Sequence, residues 1–126
     1  MAAASDYWED VILDTLLNAT LYLALSTADP GEDGTGIAEP SGGGYARAQI
    51  LTTDWAAASG GAKSTDEDIA FGAPSGNWGT ITHIALFDAV SGGNMLLHAE
   101  LAYSKEILSG ASAPTFAAGD LTVSID

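Results

Sequence analysis

GNWGTITHIALFDAVSGGNMLLHAELA, residues 76–102, carries the clearest structural signal in the chain. TITHIALFDA and MLLHAELA alternate apolar and polar positions, the period of a strand with one face turned inward. Between them lies VSGGN (90–94), a five-residue loop whose glycines supply the positive φ that a reversal needs, so the pair reads as a β-hairpin. GNWG ahead of it reads as a tight entry, with Trp78 folded back over the sheet edge. Working outward, the same period of two recurs in TLYLALST (20–27), where Leu21, Leu23 and Leu25 share a face. It recurs in YARAQILT (45–52), DIAF (68–71) and the terminal DLTVSID (120–126), with a short YSKEI piece (103–107) after the hairpin. Ser-Gly pairs at 41, 59, 75, 91 and 109 punctuate these runs as turns, not as a sequence repeat. The expected fold is all-β: an antiparallel β-sandwich of about six to eight strands, each sheet buried on one face, with one N-terminal amphipathic helix.

That helix is DYWEDVILDTLLN (6–18). Asp6 followed by Glu9 fits a capping box, and acids crowd the first turn, where the helix dipole favours them. Trp8, Val11, Ile12, Thr15 and Leu16 fall on one side, with Glu9, Asp10 and Asp14 largely on the other. So short a helix is marginal alone, and its apolar side is expected to dock on its own domain or on a neighbouring subunit. The turn-rich stretch of residues 28–44, with three consecutive glycines at 42–44, is too long for a hairpin and reads as a mobile or partner-contacting loop. Residues 1–126 are read as one domain, with a helical arm (1–19) and a β body (20–126).

The charge balance excludes more than it assigns. Seventeen Asp and Glu stand against three cations, Arg47, Lys63 and Lys105, for a net charge of −14. Such a body repels nucleic acid and anionic lipid, so no nucleic-acid and no membrane partner is expected. No apolar run approaches the roughly 18–20 residues that span a bilayer, and the opening MAAAS does not read as a signal peptide. Zero Cys removes disulfides, thiolate metal sites and cysteine nucleophiles. Twelve of the acids lie within residues 1–68, either as a solvated surface or as a docking face for a basic partner or a cation.

No residue set points to catalysis. His83 and His98 lack a third ligand at metal-site spacing, Asp88 and Glu100 joining only if the fold brings them near. There is no GxSxG elbow, and a sandwich of this size offers little room for the cleft that paired carboxylates such as Asp66 and Asp68 would need. DPGEDG (29–34) resembles a calcium loop only loosely. The chain is therefore expected to be non-enzymatic, with no cofactor and no metal. Tyr45, Trp55 and Trp78 are candidates for stacking on sugars, against the plainer roles of core cap or subunit contact. Arg47, the lone arginine, sits at an alternate position to Tyr45 and is expected to clamp one or two carboxylates, within the chain or across a subunit boundary.

Taken together, LYLALSTADPG (21–31), SGGGYARAQI (41–50), WAAASGGAKST (55–65), GNWGTITHIALFDAVSGGNMLLHAEL (76–101) and FAAGDLTVSID (116–126) resemble a small family of tailed-bacteriophage virion proteins. Its members are labelled tail-fibre-like, and some serve as capsid decoration (cement) proteins. The resemblance implies a non-enzymatic, structural, oligomeric component of the particle with a β-sandwich body; the absence of Cys is compatible with assembly in the reducing host cytoplasm. The reading favoured here is a cement protein, a homotrimer on the outer surface of the major capsid protein lattice. The alternative is a tail-fibre or tail-tip module that binds a host receptor or glycan. The partner contacts are expected at Tyr7, Trp8, Val11 and Ile12 of the helix, at Asp29, Glu32 and Asp33 of the long loop, and at Tyr45 and Arg47.

Overall fold

A computed structural model describes residues 3–125. The chain is all-β with an N-terminal helix, 36% strand and 11% helix. The elements are α1 (Asp6–Leu16), β1 (Leu21–Ser26), β2 (Ala48–Ile50), β3 (Ala62–Ser64), β4 (Ile69–Ala70), β5 (Gly79–Phe87), β6 (Met95–Ile107), β7 (Thr115–Phe116) and β8 (Thr122–Ser124). They form a four-stranded sheet in the order β2-β1-β5-β6 and two two-stranded sheets, β3-β8 and β4-β7. The contacts divide the chain into two compact units. One holds residues up to 20, 50–69 and 115 onward; the other holds 21–49 and 70–114.

In the second unit β5 is central, antiparallel to β1 on one side and to β6 on the other. The hairpin lies where the sequence places it, although its loop runs from Asp88 to Asn94 and β6 extends through the YSKEI segment. Asp88 closes the loop by accepting from the backbone N–H and the side-chain amide of Asn94, at 2.7 and 2.9 Å. Gly93 there has φ 75°, and a Cβ on it would lie 2.7 Å from that of Ala89.

β1 departs from one-sided burial. Leu21, Leu23 and Leu25 are buried as expected, but so are Ala24 and Ser26 at the alternate positions. The reason is their size: small side chains on that face let the long loop approach. Ser26 Oγ donates to the Ala28 carbonyl and accepts from the Ala38 N–H, while Ile37 packs on Ala24, Ala85 and Phe87. The loop is thus tied onto the sheet by its own backbone bonds, Thr27 N–H to the Ala38 carbonyl among them.

In the first unit α1 packs on β3, which pairs antiparallel with β8. Leu13, Leu17, Trp55, Ile69 and Leu121 are buried there. The helix ends at Leu16, two residues before the expected end, and its cap is Ser5, not Asp6: Ser5 Oγ accepts the Trp8 N–H at 3.3 Å. The two faces of the helix are also exchanged. Glu9, Leu13 and Leu17 face inward, and Trp8, Val11 and Leu16 face out. Contacts distant in sequence decide this. Asp10 Oδ1 accepts from the Gly61 N–H at 2.8 Å, and Asp14 Oδ1 receives both the Ala58 N–H and, at 2.5 Å, Lys63 Nζ. Gly61, at φ 80°, leaves no space for a Cβ beside the Glu9 carboxylate.

Candidate interaction surfaces

Arg47 is a clamp, made within the chain. Its Nε and Nη2 each donate to one Glu39 oxygen at 2.9 Å, the bidentate geometry that suits a guanidinium to a carboxylate. Nη1 donates to the Ala89 and Gly92 carbonyls at 2.9 and 2.8 Å, and Cζ stands 3.8 Å above the Phe87 ring. One side chain therefore joins the end of the long loop, the approach to β2 and the tip of the β5–β6 hairpin. Tyr45 completes the group, its hydroxyl donating to Glu39 Oε1 at 2.7 Å and accepting the Leu25 N–H at 3.1 Å. Burial would raise the Glu39 pKa, but the hydrogen bonds from Arg47 and Tyr45 outweigh it and hold the carboxyl below its ordinary value. Burial, and then the Glu39 bond, push the Tyr45 phenol up.

Trp78 and the triple glycine form a second junction. Gly42, Gly43 and Gly44 all have positive φ, and a Cβ on Gly43 would come within 3.0 Å of Gly76. The Gly43 carbonyl accepts from Trp78 Nε1 and from the Ser75 N–H, each at 2.9 Å. Tyr45 meets the Trp78 ring edge-on at 5.2 Å. These contacts correct the sugar-stacking expectation. Trp78 is 3% exposed and Trp55 is buried, and Tyr45 has its ring in this cluster and its hydroxyl bonded, so their faces serve packing and not a groove.

The open aromatic surface lies elsewhere. On α1 Tyr7 is 74% and Trp8 64% exposed, with Val11 and Leu16 also open and Ile12 half-buried, a stripe at 3-4 spacing that no described residue covers. The helix carries four acids, Asp6, Glu9, Asp10 and Asp14, and no cation; Glu9 is buried and Asp10 and Asp14 bond to the segment the helix packs on, which leaves Asp6 as the acid exposed without such a bond. Among the described residues Asp14 alone of the four has an ion-pair partner, Lys63, whose hydrogen bond depresses the Asp14 pKa.

The acids of the long loop act mainly on the loop itself. Asp29 Oδ1 accepts the Gly31 N–H, and Asp33 Oδ1 accepts both the N–H and the hydroxyl of Thr35. Glu32 projects into solvent and reaches to 3.8 Å from His98 Nε2. β-pairing brings His83 opposite Glu100, and these two with Asp29, His98 and Ala99 line an open depression. Among the described residues no three His, Asp or Glu side chains stand close enough to share a metal ion. Asp68, in the second acidic run, accepts the Ala118 N–H.

Sequence reasoning missed the surface of β6. Tyr103 is 88% exposed, Leu96 and Leu97 are open, and Ile107 alone of its residues is buried. The available signal was length: an apolar-rich run of 13 residues faces a partner strand of nine, so four of its residues must bulge.

The family described as podophage GP4 fiber I protein gp80 has a model that matches residues 3–124. No curated protein matches the chain.

Proposed function

The chain belongs to the podophage fiber I protein family, whose model spans nearly all of it, and from that premise we propose a non-enzymatic fibre subunit that α1 docks into the virion. The exposed stripe of Tyr7, Trp8, Val11 and Leu16 carries the proposal. A helix that turns two aromatics and two aliphatics to solvent while its own unit is packed on Leu13 and Leu17 has a face left for another protein. The charge of the helix selects the occupant. Asp6 is exposed beside the stripe and α1 carries no cation, so the complementary surface is an apolar groove whose rim supplies Lys or Arg, on another structural protein of the particle. Trp and Tyr suit such a role because they bury a large area with few rotatable bonds.

Capsid decoration is the second reading, in which the groove belongs to the major capsid protein lattice. The net charge of −14 suits the outer side of a shell, because an acidic body is repelled by packaged DNA. Copy number separates a fibre from a coat. The docking itself is tested by Trp8→Asp and Val11→Asp, which leave Leu13 and Leu17 in place. Folded variant chains absent from purified particles support the helix as the anchor, and normal incorporation of both variants removes it.

A further inference from the structure

Two polar atoms of the first unit are buried without a hydrogen-bond partner among the described residues, the Trp55 indole nitrogen and the Thr65 hydroxyl oxygen. Their residues are 6% and 2% exposed. Buried groups of the same two kinds in the second unit are satisfied. Trp78 Nε1 donates to the Gly43 carbonyl, and Ser26 Oγ bonds to the Ala28 carbonyl and the Ala38 N–H. A buried donor or acceptor left unpaired is destabilising, and where no protein group reaches it the partner in folded chains is an internal water.

The two atoms belong to one place. Trp55 and Thr65 face each other in an antiparallel bridge. The Ala56 N–H donates to the Ser64 carbonyl and the Asp66 N–H to the Asp54 carbonyl, each at 2.9 Å. These bonds flank the pair, so residues 55 and 65 form the closer, non-hydrogen-bonded type of antiparallel pair. Such a pair sets its two side chains on one face, with Cβ atoms about 4.5–5.5 Å apart. The Thr65 backbone is bonded on its other side, the N–H to the Leu121 carbonyl and the carbonyl to the Gly119 N–H. The indole nitrogen lies three bonds beyond its Cβ and the hydroxyl one bond beyond, and the two do not bond to each other.

The chemistry of the pair selects the ligand. An indole N–H only donates, whereas a hydroxyl donates or accepts. The donor turns away a cation, and an anion would bring an uncompensated charge in among the buried Leu13, Leu17, Ile69 and Leu121 of this unit. A neutral oxygen that accepts and donates meets both groups. We propose that one internal water molecule accepts from Trp55 Nε1 and bonds to Thr65 Oγ1, joining the 54–56 and 64–66 segments through their side chains as well as their backbones. The site lies wholly within the first unit and stands or falls separately from the docking of α1.

The test is a water–amide Overhauser spectrum of the full chain, whose three tryptophans serve as one another's controls. The Trp55 indole proton is expected to show a cross-peak to a long-lived water. Trp78, bonded to Gly43, shows none, and Trp8, 64% exposed, shows only exchange with bulk water that grows with pH. Thr65→Val keeps the shape and removes the hydroxyl; it is expected to abolish the Trp55 cross-peak and to lower the thermal midpoint by about 4 °C or more. Thr65→Ser keeps the hydroxyl and is expected to keep the cross-peak. A Trp55 indole without a water cross-peak in the unaltered chain, a cross-peak that survives Thr65→Val, or a thermal midpoint raised by that variant overturns the proposal.

Discussion

Replacing Arg47 tests how far one side chain holds the second unit together. Its side chain is 5% exposed and makes four hydrogen bonds, two to Glu39 and two to carbonyls of the hairpin tip. Arg47→Ala leaves Glu39 partly buried without its counter-charge and strips both carbonyls of their donor. Breaking a buried pair from one side costs about 3–5 kcal/mol. The Glu39 side chain keeps 24% exposure, so water relieves part of that and the low end, about 3 kcal/mol, applies. For a chain of this size that is a fall of about 12 °C in midpoint, at about 4 °C per kcal/mol. Arg47→Lys keeps the charge but cannot fork to two oxygens and two carbonyls, and is expected to lose about half as much. The assay is urea unfolding followed by fluorescence, with Glu39→Gln and the double variant completing a cycle. The expected coupling energy exceeds about 1.5 kcal/mol. A loss below about 1 kcal/mol for Arg47→Ala, or a coupling near zero, refutes the clamp.

Three further outcomes follow from particular contacts. Glu39, held below its ordinary pKa of 4.5, stabilises the fold above that value and loses this contribution as pH falls through its lower folded pKa; the urea midpoint of the native chain should therefore drop below pH 4.5 more steeply than that of Glu39→Gln. Gly43→Ala places a Cβ at positive φ against Gly76 and should cost about 2 kcal/mol or more, seen as a lower thermal midpoint, whereas Gly42→Ala, with open space around it, should cost only the backbone strain, about 1 kcal/mol. Gly61→Ala should displace Glu9 and loosen α1, detected as faster amide exchange along the helix.

Strand period and turn glycines were sufficient to read the all-β class, the β5–β6 hairpin and β1, because alternation and Gly-Gly loops are local signals. β3 and β7 were missed, being runs of three and two residues whose pairing depends on distant segments. The clamp on Arg47 was legible from chemistry, a lone guanidinium among many acids, though Glu39 as its partner was not. α1 shows where local reasoning stops. Amphipathicity alone turns Trp8 and Val11 inward, but Gly61, Ala58 and Lys63, some fifty residues away, bind Asp10 and Asp14 and rotate the helix the other way. The same rotation leaves the stripe open for docking. Two of the stretches that carry the family resemblance, SGGGYARAQI and GNWGTITHIALFDAVSGGNMLLHAEL, contain the two junctions at Gly43 and Arg47. They report how this fold is held, while the exposed stripe of α1 lies outside every stretch of the resemblance.

A structural part of the virion must be present in purified particles, so the decisive quantity is the copy number of this chain in them. Quantitative mass spectrometry against the major capsid protein is expected to find it in a fixed number per particle: few copies for a fibre, near parity for a coat. Its absence from mature, infectious particles would contradict the account.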